Sequence, residues 1–445
     1  MTPTVKLKQI ALILGDVAIL YISLVLALFL RYHGLSKEVW DVHFWPFTVV
    51  FSIWLATFYI GGLYDLRTLK NDLYFARTFL SLVIINGIIA TLLFYFISAF
   101  GISPKANLFA VVAIFGLIAY LWRTIYNNIL SAGSPPNKIL MIGYNQTVEE
   151  AVNQIQQNPQ LGYEVNFWMK EGLQDKELDH LAQIILDNKI NIIVIPAHIK
   201  KSSKAARLIY KNLVLGIEVM NLSDLYEKVF KKLPLAELEE VWFLENIAKS
   251  HQIYEFFKKP IEIFLAIVVG IILLPIATII AIFIALTSPG PIIYTQTRSG
   301  ESEKGFKIFK FRTMRVNAEK DGPQWSAGKH DERVTPIGAL LRRTHLDELP
   351  QLLNIIGGEL SFVGPRPERP EFVKQLKKDV PYFELRLLVR PGITGWAQIN
   401  YKYGASVEDA YEKLQYDMYY LKNRSLALDF LVLLRTVKYL FASHK

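Results

Sequence analysis

Asp347 and Glu348 stand side by side in the stretch from Thr344 to Pro367, between Arg342 and Arg343 on one side and Arg366 on the other. Adjacent carboxylates repel, and a fold holds such a pair most easily beside a metal or in solvent. A solvated, capped helix start is the plain alternative for an isolated Asp-Glu pair. The surroundings argue for phosphate chemistry instead. Beyond Ser288-Pro289-Gly290-Pro291 the chain carries Gln296-Thr297-Arg298, Lys307, Lys310, Arg312, Arg315, Arg333, Arg366 and Arg390, too widely spread to form one solvated stripe. Arginine grips phosphate oxygens bidentately and lysine supplies a compact charge. Each cation alone reads as an ordinary surface residue. Together with Gly364-Pro365-Arg366-Pro367 and the run Arg390 to Trp396, they read as an anion site with room for a divalent cation.

The elements that must position these groups are partly membrane-embedded. The 445 residues are 52% hydrophobic, with a mean hydropathy of +0.26, and the excess is concentrated in long apolar runs. Four of these, about Ile10 to Leu30, Phe44 to Leu63, Thr78 to Phe100 and Leu108 to Ile125, approach the roughly 20 residues needed to span a bilayer as a helix. Lys6, Lys8, Arg67, Lys70, Arg77, Arg123 and Lys138 outweigh Arg31, Lys37 and Lys105 in the alternate loops, which places both ends of this domain in the cytoplasm. The first run is too long for a signal peptide. Asp16 lies within it and is assigned no role. The absence of cysteine excludes disulfides, thiolate metal sites and a cysteine nucleophile. A net charge of +9 without an aromatic-basic motif points to anionic headgroups rather than to nucleic acid.

After Ser134-Pro135-Pro136 the pattern turns to soluble α/β. It predicts strands at Lys138 to Ile142, Tyr163 to Met169 and Asn191 to Ile195, with helices at Thr147 to Gln157 and Leu178 to Asn188, and so a small parallel sheet. The first turn, Gly143-Tyr144-Asn145-Gln146, lacks the later glycines of a dinucleotide-binding turn, so a structural or regulatory domain is expected. A fifth apolar run, Ile261 to Leu286, contains Pro275 and reads either as a kinked transmembrane helix or as two half-helices that enter and leave one face. Only the second keeps Asp347 in the cytoplasm.

From about Phe257 onward the chain resembles the bacterial polyprenyl-phosphate hexose-1-phosphate transferases, phosphoglycosyl transferases with a monotopic catalytic domain. The resemblance rests on the proline-containing membrane run, Lys310 to Met314, Leu346 to Gln351, Val363 to Pro367, Arg390 to Gln398 and Asp417 to Tyr420, in that order. The upstream regions resemble those of the long members that initiate O-antigen, capsule or exopolysaccharide synthesis. The resemblance implies a mixed membrane protein: a four-helix transmembrane bundle over 1–133, a degenerate Rossmann-like α/β domain over 134–249, and an α-rich catalytic domain over 250–445 with a re-entrant helix near 260–287. It implies transfer of a hexose 1-phosphate from a UDP-sugar to undecaprenyl phosphate at the inner membrane, releasing UMP. Asp347 would be the covalent nucleophile, and Glu348 would help bind Mg²⁺ and assist proton transfer, the two acids being the metal ligands. Lys310 and Asp417 would complete the catalytic set, with Arg366, Arg298, Arg312, Arg333 and Arg390 as phosphate-binding candidates. Membrane lipid is the expected surroundings, and the long-member resemblance suggests a homodimer.

Two departures stand out. Leu274 precedes Pro275 where some members have serine, and Asp331-Glu332-Arg333 replaces the commoner Asp-Pro-Arg. Ser425 to Phe441 reads as either an interfacial amphipathic helix or a core-packing one. A membrane-tethered NAD-dependent sugar-nucleotide dehydratase is the alternative enzyme. Tyr254 to Lys258 has its Tyr-x-x-x-Lys spacing, but no complete glycine-rich turn accompanies it. A non-catalytic assembly scaffold is the third class.

Overall fold

The computed structural model describes residues 3–64, 71, 73–97, 105–132, 137–170, 180–197, 203–247, 252–315, 318, 333–401, 404 and 406–442. Asp331 and Glu332 lie outside them. The chain divides into two compact units, Met1–Val229 and Phe230–Lys445.

The first unit opens with four long apolar helices, α1 (Pro3–Tyr32), α2 (Lys37–Ile60), α3 (Leu73–Phe96) and α4 (Lys105–Ala132). Each is long and apolar enough to cross a membrane. They share a core in which Leu20, Leu24, Phe47, Trp54, Phe58 and Phe115 are fully or almost fully enclosed. Asp16, inside α1, is completely buried and ion-paired with Arg123 of α4. Tyr64 donates to the same carboxylate at 2.8 Å, and Arg123 also donates to the Leu63 carbonyl. A charge in such a place persists only when paired and hydrogen-bonded, so this cluster ties α1 to α4 and to the end of α2.

The sheet follows as β1 (Asn137–Ile142), β2 (Tyr163–Met169), β3 (Ile192–Ile195) and β4 (Glu218–Asn221), all parallel in the order β2-β1-β3-β4. Helices α5 (Gln146–Gln157), α6 (Leu181–Asp187), α7 (Ser203–Asn212) and α8 (Leu222–Phe230) connect or follow the strands. The first three strands fall within a residue of their expected positions. In the degenerate turn, Trp168 donates to the Gly143 carbonyl at 2.9 Å and stacks on Tyr144, so the protein's own aromatics pack there.

The second unit begins earlier than the expected boundary at 249. Leu233, Leu235, Leu238, Phe243 on α9 (Glu240–Asn246) and Ile247 all enter the core formed with Val373, Phe383, Trp396, Leu414 and Met418. Next comes α10 (Gln252–Thr287), assigned as one uninterrupted helix with Pro260 and Pro275 inside it. Hydrogen bonding continues past Pro275, since proline deletes one backbone donor and leaves the rest of the ladder in place, and a bend at Pro275 is compatible with that continuity. One face of α10 packs on its own unit through Ala266, Ile280 and Ile284. The opposite face leaves Phe264, Ile271, Ile272, Leu274, Ile279, Phe283 and Leu286 exposed.

The hairpin β5 (Ile293–Ser299) and β6 (Gly305–Phe311) is antiparallel. It is followed by α11 (Pro336–Thr344), a 3₁₀ turn at Leu346–Gln351, α12 (Leu352–Ile356), and β7 (Ser361–Val363). The remaining elements are α13 (Pro370–Asp379), β8 (Gly392–Thr394), α14 (Trp396–Asn400), α15 (Val407–Asn423) and α16 (Leu426–Ala442). β7 and β8 pair in parallel. On α16, Val432 is fully buried in the core shared with α15, whereas Phe430 is exposed, so the helix packs on its unit and keeps an outward apolar face.

Candidate active site

The acidic pair owes its setting to local geometry. Thr335 caps α11 by accepting from Gly338 N, with Pro336 at the first helical position, and His345 ends the helix in the left-handed region (φ 54°). That reversal starts the 3₁₀ turn. With three residues per turn, Leu346 and Leu349 share a face. Both pack toward Ile280 and Ile284 of α10.

On β6, Phe306, Ile308 and Lys310 follow the two-residue period of one strand face. Phe306 and Ile308 enter the core beside Ala266 and Ile355. Lys310, the next on that face, donates to Glu348 Oε1 at 2.7 Å. The register is held by Asn354, fully buried on α12, which accepts from Phe309 N at 3.1 Å and donates to the Lys307 carbonyl at 2.8 Å. No sequence signal singled out this asparagine.

Arg366 comes from the loop after β7 and lies 3.5 Å from Glu348 Oε1. The glycines of the two neighbouring motifs explain how the loop is seated. A Cβ on Gly364 would sit 2.5 Å from the Arg390 carbonyl oxygen, and one on Gly392 would sit 2.1 Å from Gly364 N. Gly364 N donates to the Thr394 carbonyl, and Gly392 N to that of Pro365. The two motifs are packed backbone on backbone.

The two acids differ in environment. Burial pushes Glu348 up, but Lys310 and Arg366 outweigh it and hold the carboxyl at about 2. Burial pushes Asp347 above the usual carboxylate range against the opposing charge of Lys310, and neighbouring Glu348 adds to the rise. Asp347 is 8% exposed, and among the described residues no hydrogen bond or ion pair engages its carboxylate. Glu348 is therefore an ion-paired carboxyl held below the usual range, and Asp347 an unpaired carboxylate beside it.

Glu348 opens onto a cavity of about 260 Å³. Arg366, Glu368, Arg386 and Lys413 line its polar end, and Val269 of α10, Leu352 and Ile393 belong to its apolar wall. Asp417, 1% exposed on α15, meets Arg386 at 3.0 Å. Burial pushes its carboxyl up to about 6, with Arg386 opposing.

The structure thus brings Asp347, Glu348, Lys310 and Arg366 together, with Asp417 one residue removed through Arg386. The other cations are engaged elsewhere. Arg298 donates to the Pro367 carbonyl and to Gln296. Arg312 donates to the Ser288 carbonyl just past α10, its Nη1 buried and unpartnered among the described residues. Arg333 accepts from Arg315 N through its backbone. Arg390 pairs with Glu262 at 3.3 Å and with Glu255 at 3.5 Å. It belongs to a network around the start of α10, where Lys258 donates to Tyr254, Tyr420 and the Val363 carbonyl. That network consumes the Tyr254 and Lys258 pair, whose match to a dehydratase spacing reads as chance.

Buried carboxylates and cations beside a part-apolar cavity, next to a helix long and apolar enough to cross a membrane, form an enzyme-like site. Residues 253–443 match the family of bacterial sugar transferases. The chain is 37% identical over 185 residues to an exopolysaccharide production protein of Rhizobium leguminosarum bv. phaseoli, covering 40% of this chain and 92% of that one. It is 41% identical over 186 residues to a UDP-N-acetylgalactosamine-undecaprenyl-phosphate N-acetylgalactosaminephosphotransferase of Aeromonas hydrophila, covering 42% of this chain and 44% of that one. A UDP-glucose:undecaprenyl-phosphate glucose-1-phosphate transferase of Xanthomonas campestris pv. campestris is 27% identical over 342 residues, 71% of this chain and 69% of its own. The chain belongs to the bacterial sugar transferase family, within the phosphoglycosyl transferases. With its long apolar helices, this makes it a multi-pass inner-membrane protein whose soluble portions are cytoplasmic. The matched region spans less than half the length of the Aeromonas relative.

Proposed function

We propose that the chain transfers a sugar 1-phosphate from a UDP-sugar to undecaprenyl phosphate at the cytoplasmic membrane face, releasing UMP. The observation that carries this reading is the unequal pair: an unpaired Asp347 beside a Glu348 that is fixed by Lys310 and Arg366 and itself lines a cavity reaching α10. A carboxylate oxygen of Asp347 attacks the phosphorus that bears the sugar, and the bond from that phosphorus to the UMP oxygen breaks. Lys310 and Arg366 neutralise the phosphoryl oxygens as charge moves to UMP. An oxygen of undecaprenyl phosphate then attacks the same phosphorus, and the bond to Asp347 breaks to give undecaprenyl-diphospho-sugar and the free carboxylate. Both nucleophiles are anions, so neither step requires a proton to be removed. Glu348, held below the usual carboxylate range by Lys310 and Arg366, is accordingly placed as an electrostatic and metal-holding group.

Asp347 and Glu348 fit Mg²⁺ as a partial donor set. Lys310 and Arg366 both meet Oε1 of Glu348, which leaves Oε2 outside those ion pairs. One or two carboxylates suffice when phosphates and water complete the shell. Mg²⁺, when bound, neutralises and orients the diphosphate oxygens.

The proposed topology is a four-helix bundle, α1 to α4, with a Rossmann-like domain after it and α10 as a re-entrant element. Supporting the last, Lys258 at the start of α10 is bonded to the Val363 carbonyl, while Ser288 past its end is held by Arg312. Both anchors belong to one unit, and apolar side chains cover the outward face between them. Through Val269 the cavity adjoins this helix, so a soluble nucleotide and a lipid phosphate meet without leaving their phases. Arg298, Arg312, Arg333 and Arg390 remain phosphate-binding proposals of lower rank, and a homodimer is part of the same reading. Two relatives are named for N-acetylgalactosamine and glucose donors, so the test is UMP release from a panel containing both UDP-sugars. The expected result is release with at least one donor that depends on undecaprenyl phosphate and Mg²⁺. Folded, membrane-inserted protein that releases none would contradict the proposal.

A further inference from the structure

We infer that Arg386 and Asp417 are positioning residues that hold Arg366 against Glu348 by clamping the loop that carries it. The inference rests on the proposed transfer reaction and assigns Asp417 a place outside the reacting atoms. Arg386 is 7% exposed, and its Nη2 donates to the backbone carbonyl of Arg366 at 3.0 Å. The same nitrogen lies 3.0 Å from Asp417 Oδ2, and Nη1 lies 3.7 Å from Glu368 Oε1. One guanidinium therefore donates to a loop carbonyl and is ion-paired with a buried acid on α15 and with a glutamate two residues further along the same loop. Its planar fork makes this possible, whereas a lysine ammonium is a single point of charge. The far side of the loop is already fixed, since Gly392 N donates to the Pro365 carbonyl and Ser299 N to that of Glu368. Arg298 holds the Pro367 carbonyl, and Arg386 holds the carbonyl of Arg366 itself. With the loop backbone held, the Arg366 guanidinium stays within 3.5 Å of Glu348 at the cavity.

Asp417 supplies the counter-charge that keeps Arg386 in place. An unpaired arginine so deeply buried is costly, and removing its acid frees it to turn toward water or toward Glu368. This accounts for a buried acid on a helix that carries no group to the dyad itself.

The test uses the full chain in detergent with two readouts. Hydrogen exchange of peptides spanning 364–368 needs no substrate and reports the loop alone. Arg386→Met and Asp417→Asn are expected to raise exchange there while peptides from α10 stay unchanged. In UMP release, each variant is expected to lower kcat by roughly 10- to 100-fold, the range a misplacement of about 1 Å produces. Arg366→Ala is expected to abolish most of the further effect of Arg386→Met, because the loop then lacks the guanidinium that Arg386 holds against Glu348. Arg386→Lys, which keeps charge without the fork, is expected to rescue exchange only partly. Unchanged exchange at 364–368 overturns the inference even if the protein transfers no sugar phosphate. Raised exchange with unchanged kcat, or full additivity of the Arg366 and Arg386 substitutions, overturns it as well. Failure of the wild-type chain to release UMP would instead strike the reaction proposal, leaving the exchange result to decide the clamp.

Discussion

Asp347 and Glu348 are neighbours in sequence and opposites in setting. That they act together was legible because they are adjacent and framed by motifs. Their separate roles were expected from the family resemblance, but the unequal environments were not legible, since these come from Lys310 and Arg366, which approach from a strand and a loop. The sign of the pH dependence follows. Asp347 must be ionised to attack, and burial holds its carboxyl above the usual range, so transfer is lost as pH falls through that raised value. Lys310 opposes the rise, so Lys310→Met is expected to move the acid limb to higher pH. It should also cost on the order of 100-fold in rate near neutrality, the scale of losing one pre-placed donor. Single-turnover rates from pH 5 to 8 check this, and an unmoved limb with an unchanged rate would contradict it. Arg386 and Asn354 escaped the sequence reading because each earns its place through partners 20 to 47 positions away.

At the scale of elements, periodicity located the membrane helices and the first three sheet strands, where core burial and sequence pattern coincide. It could not settle α10, since Pro275 is compatible with both a kink and a break. The chain's lack of cysteine makes its topology directly measurable. With Glu245→Cys before α10 and Glu301→Cys after it, both exposed positions, an impermeant maleimide is expected to label both from the cytoplasmic side of inverted vesicles. Labelling from opposite sides would establish a crossing and remove the re-entrant reading. The backbone contact between the glycine motifs predicts that Gly364→Ala costs about 1–3 kcal/mol, the usual penalty of overpacking. Thermal unfolding followed by tryptophan fluorescence measures it, and an unchanged midpoint would show that the contact yields.

At the scale of the whole molecule, every group of the proposed chemistry lies in Phe230–Lys445. The composition shift after α8 was too slight to mark the unit boundary, because Leu233 to Ile247 resemble the preceding α/β pattern and declare their allegiance only by packing. A fragment of residues 230–445 is therefore expected to fold and retain transfer. One beginning at 250 loses Leu233, Leu235, Leu238 and Phe243 from its core and is expected to aggregate, each large apolar side chain being worth about 2–5 kcal/mol. Comparable folding of the two fragments by size-exclusion chromatography would contradict this partition.

The central claim is that Asp347 carries the sugar phosphate. With a UDP-sugar labelled in the sugar-linked phosphate and no undecaprenyl phosphate present, label is expected to remain on the wild-type protein in the peptide containing Asp347, to be discharged on adding the lipid, and to be absent from Asp347→Asn. Undiminished label in Asp347→Asn, or label mapped to another residue, would contradict the account.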